Sequence, residues 1–266
     1  MLETEFGVPI PGEILPESQW AKTAIKRMPL PGGLVWSEIF GRTAPVVVEL
    51  GCGNGRFTLL SAIRRPDHDH FATDLLPVVI RYATRRANQR GLHNVRFAVK
   101  DAETVVGRYL APGSVAEVHL YHPQPYLDPR MINRRLVTPR FLADVHRALR
   151  SEGLFAIQTD NPDYWDYIRA VTPEFFAFRE LDGPWPDAPE GRSRREILSR
   201  SHGLRIFRGE GVRREDVTPD AALALAERLP PPRFLSRGPW CELDSLESRN
   251  EHEPGPRRDD RHRPRR

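Results

Sequence analysis

Glu49-Leu50-Gly51-Cys52-Gly53-Asn54-Gly55 sets an acidic residue before three alternating glycines. A glycine-rich turn between a strand and a helix lets backbone approach a ligand closely and presents the first amides of the helix. The spacing helps to choose the ligand. A dinucleotide fingerprint counted from Gly51 needs glycine at position 56, where this chain has Arg56. Two further carboxylates stand where a nucleoside cofactor wants them. Asp74 closes the second apolar run and can accept from both ribose hydroxyls; Asp101, in Lys100-Asp101-Ala102, can accept from an adenine amino group. Each alone reads equally as a solvated loop carboxylate or a helix N-cap. Three elements in order, each at a strand end, favour the cofactor. Cys52 reads as a small filler, because no general base accompanies it.

Other groupings carry less. His68-Asp69-His70 offers metal-ligand types, but nothing nearby completes a shell, so no metal is expected. His122 serves equally as a pocket residue or a structural histidine. Arg134 and Arg135 can grip phosphates or start a solvated helix.

These residues need elements to position them. Val46-Val47-Val48-Glu49-Leu50 is a β-branched run, read as a buried strand, with helical periodicity following over 55–65. His70 to Asp74 is read as a second strand, with a helix over 77–90. Val95 to Val99, Val115 to Tyr121 and Leu154 to Gln158 are further strands. Arg134 to Leu149 is read as one amphipathic helix with Leu136, Phe141, Val145 and Leu149 on one face. Alternating strands and helices predict an α/β, doubly wound, mostly parallel sheet of about seven strands, with ligands at the carboxyl ends of the strands.

The flanks differ in composition. Residues 1–35, rich in Pro and Gly, form an extended N-terminal arm with one short helix near Glu17 to Met28. The main domain is placed at 36–211. A helical extension is placed at 212–248, with Thr218 as N-cap, Pro219 at the first position and Pro230-Pro231-Pro232 as the stop. Residues 249–266 have too little apolar surface to fold alone and are expected to be a disordered Arg-rich tail.

The chain of 266 residues is 39% hydrophobic, enough for a single core, and carries a formal net charge of +4. That basicity is compatible with nucleic acid and does not demand it. The basic residues are nearly all Arg; the lysines are Lys22, Lys26 and Lys100. Two cysteines, Cys52 and Cys241, exclude a disulfide framework and a multi-thiolate zinc site. No signal-peptide pattern opens the sequence and no apolar run approaches membrane-spanning length, so a cytoplasmic protein without membrane contact is expected.

The glycine pattern resembles motif I of Rossmann-like methyltransferases, which packs against the methionine part of S-adenosylmethionine. Further along, Tyr121-His122-Pro123-Gln124-Pro125-Tyr126 and Asn133-Arg134-Arg135-Leu136-Val137 resemble the F-P-D-P-W and K-R-R-L-V segments of the tRNA (guanine-N(7)-)-methyltransferase family. Thr159-Asp160 resembles its T-D segment and Ser193-Arg194-Arg195-Glu196 its T-x-x-E segment. His202 to Phe207 resembles the strand after it. The resemblance spans roughly 45–208.

It implies S-adenosylmethionine-dependent methylation of guanine N7 in the tRNA variable loop, on a Rossmann-like fold, by a chain expected to be monomeric. It implies cofactor contacts at Glu49, Gly51, Gly53, Asp74, Asp101, Ala102 and Gln124. It implies substrate contacts at Asp128, Asp160, Ser193, Arg194, Arg195 and Glu196. The family's Asp, often given the catalytic role, is Gln124 here; its following Lys is Asp128 and its Trp is Tyr126. Gln124 can orient by hydrogen bonding but cannot supply charge; Asp128, Asp160 and Glu196 can. A different acceptor, or a homologue that binds RNA with weak catalysis, are the alternatives the departures leave open.

Overall fold

Val46, Val47 and Val48 are buried on both sides of the chain, as a central parallel strand requires. The computed structural model describes residues 3–29, 32–235 and Leu243, and the fold below belongs to the unit Met1–Ser236. The expected tail over 249–266 lies outside the described residues.

The arm opens with the hairpin β1 (Thr4–Glu5) and β2 (Val8–Pro9) and continues to β3 (Ala24–Ile25) and α1 (Trp36–Phe40). Then come β4 (Val46–Leu50), α2 (Arg56–Arg64), β5 (Asp69–Asp74), α3 (Pro77–Gln89), β6 (Val95–Val99) and α4 (Ala102–Thr104). The second half holds β7 (Val115–Tyr121), α5 (Pro139–Ala148), β8 (Leu149–Thr159), α6 (Pro162–Val171), β9 (Phe176–Glu180), α7 (Arg194–Ser201), β10 (Phe207–Arg213) and α8 (Pro219–Arg228).

The sheet runs β3-β6-β5-β4-β7-β8-β10-β9. Pairings from β3 through β8 are parallel, and β10 is antiparallel to both neighbours. Seven strands thus make the mostly parallel sheet expected, with the two-residue β3 of the arm added at one edge. Alternation along β4 sends Val46, Val48 and Leu50 into a core with α5 and α6, while Val47 faces the opposite side with Phe57 of α2. Glu49 shares the face of Val47.

Four local expectations change. The arm helix near Glu17 to Met28 is only a 3-10 turn at Glu17–Gln19. Beyond it the buried Thr23 bonds Asn88, and Ala24–Ile25 adds to the sheet edge instead. The helix expected from Arg134 starts at Pro139, because the Thr138 side chain caps it by accepting from Phe141 N at 3.1 Å. Leu149, placed on that helix, opens β8, which is longer than the expected 154–158 and carries a register shift opposite Val115–Glu117. The strand expected within His202 to Phe207 begins at Phe207.

Candidate active site

The turn after β4 folds back on β5. Gly51 N and Cys52 N both donate to Thr73 O, at 2.8 and 2.9 Å. Asp74 then clamps the turn: Oδ2 accepts from Gly53 N and Oδ1 from Leu76 N, each at 2.9 Å. A carboxylate has about four acceptor positions, so these two bonds leave room for two hydroxyl donors. Burial pushes the Asp74 carboxyl up, and the backbone amides of Leu76 and Gly53 pull against it.

Gly51 and Gly53 take φ of +71° and +51°, with nothing within 4 Å of where a Cβ would stand. Gly55 differs, since a Cβ there would lie 2.8 Å from Ala83, so glycine is what lets α2 start against α3. The turn therefore offers an open backbone face beside a carboxylate that still has acceptor positions. That donor set fits a nucleoside cofactor carrying an amino acid.

Asp101 lies at the same end of the sheet, because Lys100 N donates to Asp74 O at 3.0 Å. Its side chain caps α4, accepting from Thr104 N at 2.7 Å. Burial raises its pKa, but the Thr104 bonds prevail and hold it low. Capping and cofactor binding are compatible, since one oxygen is used. Ala102 follows, half-buried at the head of α4.

Glu49 is 4% exposed, and its Oε2 accepts from Thr58 N and Oγ1 of α2. Burial pushes its pKa up to about 8, the Thr58 bonds opposing and the charge of Asp74 adding. Glu49 thus ties α2 to β4 from behind the turn.

A second group of residues stands on β7, β8 and α7. Past β7, His122 takes φ +52° and its N donates to Gln158 O at 2.8 Å. Its Nε2 lies 3.1 Å from Gln158 Nε2, which also donates to Glu196 Oε2 at 3.1 Å. The amide can only donate there, so Nε2 accepts and the ring proton belongs on Nδ1, 3.5 Å from Asp160 Oδ1. Asp160 Oδ2 accepts from Arg195 Nε and Ser199 Oγ, each at 2.7 Å. Burial alone would raise the Asp160 pKa; His122, Arg195 and Ser199 outweigh it and hold the carboxyl well below its usual range.

Ser193 caps α7 by accepting from Glu196 N at 3.0 Å, and Arg194 stacks its guanidinium 5.0 Å from the Phe6 ring. Glu196 is 0% exposed, paired with Arg208 and bonded by Arg192 N at 2.8 Å. Glu196 thus sits beneath the surface in this structure and anchors Gln158 and Arg208. Gln124 is exposed, three residues beyond β7. Asp128 lies on the surface and pairs with Arg130 at 2.6 Å.

Arg135 does not face phosphates. It is 2% exposed and donates to the carbonyls of Pro125, Tyr126, Pro232 and Phe234. It fixes the Gln124 segment from behind, whereas Arg134 is exposed. The residues of the metal reading are engaged elsewhere: Asp69 with Arg42, His70 with Ser61 and His68 with Asp67.

Sequence reasoning missed Arg192. Its guanidinium stacks 3.9 Å over Trp185, donates to Tyr121 Oη at 2.7 Å and pairs with Asp187 at 2.7 Å. Trp185-Pro186-Asp187 sits in an irregular loop with no period to betray it.

Comparisons with known proteins bear on the family and the fold. Residues 43–209 match a family described as "Putative methyltransferase". The solved 16S rRNA methyltransferase KamB shares the fold, with a TM-score of 0.53 at 16% identity, covering 72% of this chain and 98% of that one. Three curated relatives are named tRNA (guanine-N(7)-)-methyltransferase. The Arthrobacter sp. relative is 34% identical over 56% of this chain, which spans 48% of that relative's length. The Leifsonia xyli relative is 35% identical over 61% of this chain and 72% of its own length. The Pseudoalteromonas atlantica relative is 31% identical over 74% of this chain and 80% of its own. No helix among the described residues is long and apolar enough to cross a membrane. With the family match covering more than half of the chain and its segments gathered at one end of the sheet, this chain belongs to the tRNA (guanine-N(7)-)-methyltransferase family.

Proposed function

We propose that this chain methylates guanine N7 in the variable loop of tRNA, in the cytoplasm, using S-adenosylmethionine. One observation carries the reading. Three segments far apart in sequence, around His122, Asp160 and Arg195, are joined by hydrogen bonds beside the glycine turn. S-adenosylmethionine, when bound, supplies a sulfonium-borne methyl group. The Gly51–Gly53 backbone and the Asp74 carboxylate would hold its amino-acid and ribose parts, and Asp101 its adenine amino group.

Guanine N7 has a lone pair and no proton, so no residue has to act as a base before attack. Positioning then supplies much of the acceleration. The methylated purine gains positive charge, and Asp160 is the buried carboxylate held ionised on that side. Gln124 orients the acceptor as a hydrogen-bonding amide, and Arg195 and Ser199 fix Asp160. Ser193 and Arg194 contribute from the start of α7, and Asp128 from the surface. A chain that binds tRNA without modifying it is the second reading, favoured by the amide at Gln124 alone.

Nucleoside mass spectrometry of tRNA from a deletion strain tests the proposal. Loss of 7-methylguanosine, restored by the wild-type gene, is the expected result. Unchanged 7-methylguanosine would reject it.

A further inference from the structure

A groove of about 460 Å³ runs along α3, between that helix, β6 and the arm. It is separate from the glycine turn but begins next to it: Pro77 and Val99 line one end, three residues after Asp74 and two before Asp101. Trp20, Ile25 and Met28 give the groove an apolar wall, and Lys26, Arg81 and Arg85 give it cations. Trp20 is 38% exposed, and its indole N–H donates to Leu15 O at 2.9 Å, which fixes the ring.

The charges are the unusual part. Arg81 and Arg85 are one turn apart, and like charges at that spacing disfavour a helix. Elsewhere around α3, arginines are neutralised: Arg86 pairs with Glu3 and Glu5, and Arg90 with Glu3. Among the described residues, no ion pair or hydrogen bond engages the side chains of Lys26, Arg81 or Arg85. Three cations without a partner among the described residues, beside a fixed aromatic ring, suit a polyanion that also carries flat apolar groups. Nucleic acid carries a flat base for every phosphate, a regular pairing that an acidic peptide lacks.

We propose that this groove is a second contact surface for the substrate RNA. Lys26, Arg81 and Arg85 hold phosphates, and Trp20 with Met28 receives one base. The groove leads toward the cofactor turn, so RNA held in it is tethered beside the reacting end of the sheet. The inference rests on the tRNA reading above, but it concerns binding and is separable from catalysis.

The test uses the full chain, deacylated bulk tRNA and a salt series. Arg81→Ala/Arg85→Ala is expected to raise the Kd for tRNA about tenfold and to lower the log Kd–log salt slope by about 1.4 to 1.8, since each of the two phosphate contacts carries a slope of about 0.7–0.9. Affinity for S-adenosylmethionine and the melting temperature should stay at wild-type values. Trp20→Leu should weaken tRNA binding severalfold without changing the slope, because stacking is not a counterion effect. An unchanged Kd and slope in the double variant overturns the groove, and 7-methylguanosine formation by the wild type then still stands for the function. Conversely, tRNA binding that depends on Arg81 and Arg85 without any 7-methylguanosine sinks the functional reading and keeps the groove. Absence of tRNA binding by the wild type overturns both. Polyglutamate displacing tRNA as well as unlabelled tRNA of equal charge overturns the RNA assignment in favour of an acidic peptide.

Discussion

Asp74 holds its own turn and still has acceptor positions for a ligand. Asp74→Ala should therefore cost S-adenosylmethionine binding about 1.5–3 kcal/mol for a charge-assisted bond, and it also frees Gly53 N and Leu76 N. Calorimetry giving wild-type affinity would remove Asp74 from the cofactor site. Glu49 makes a pH prediction. Its carboxyl ionises near 4.5 when unfolded and at about 8 when folded. The folded state thus holds a proton that the unfolded state releases across that window. The stability this gives is full below about pH 4.5 and is lost as pH rises through about 8. Glu49→Gln removes the titration, so the variant should gain melting temperature on the wild type between those pH values. A difference that stays flat with pH would show that Glu49 is already ionised. At Gln124, Gln124→Asp should maintain or raise the single-turnover rate on tRNA, since a carboxylate stabilises developing positive charge better than an amide. Gln124→Ala should lower it. The glycine spacing and the strand-end acids were legible because local sequence dictates them. Arg192 and the burial of Glu196 were not, because both depend on partners distant in sequence, Tyr121 and Arg208.

At the scale of elements, the parallel strands could be read from β-branched runs, and α3 from its period. The start of α5 could not be read from periodicity. Thr138 and Pro139 form a cap and first position that cut the apolar stripe short, and Arg135 before them turns inward. Its identity as a basic residue before a helix suggested solvent, while its four carbonyl partners lie on two segments, one of them nearly a hundred residues away. Arg135→Ala should therefore destabilise the fold, by roughly 3 kcal/mol or more, because buried carbonyls lose their donors. It should leave the salt slope of tRNA binding unchanged, whereas Arg134→Ala should lower that slope. Thermal unfolding and a salt titration of both variants separate these roles; a normal melting temperature for Arg135→Ala would contradict the structural assignment. The antiparallel pair β9 and β10 was the least legible, since neither strand has a long alternating pattern: β10 is defined by its pairing with β8, and β9 by its pairing with β10.

Across the whole molecule, the sheet order gives the functional reading its geometry. β4 lies between β5 and β7, so the glycine turn is flanked on one side by Asp74 and on the other by the His122 segment. Asp160 at the end of β8 comes next, and α7 reaches it through Arg195 and Ser199. One end of the sheet thus gathers a cofactor turn and an ionised, fixed carboxylate. The central claim is that these act together on guanine N7. The most direct measurement incubates purified protein with S-adenosylmethionine carrying a labelled methyl group and tRNA lacking 7-methylguanosine, followed by nucleoside mass spectrometry. The account predicts label in 7-methylguanosine, with the rate lowered in Asp160→Ala by more than in Gln124→Ala. A protein that binds S-adenosylmethionine yet places no label in 7-methylguanosine on any tRNA would contradict it.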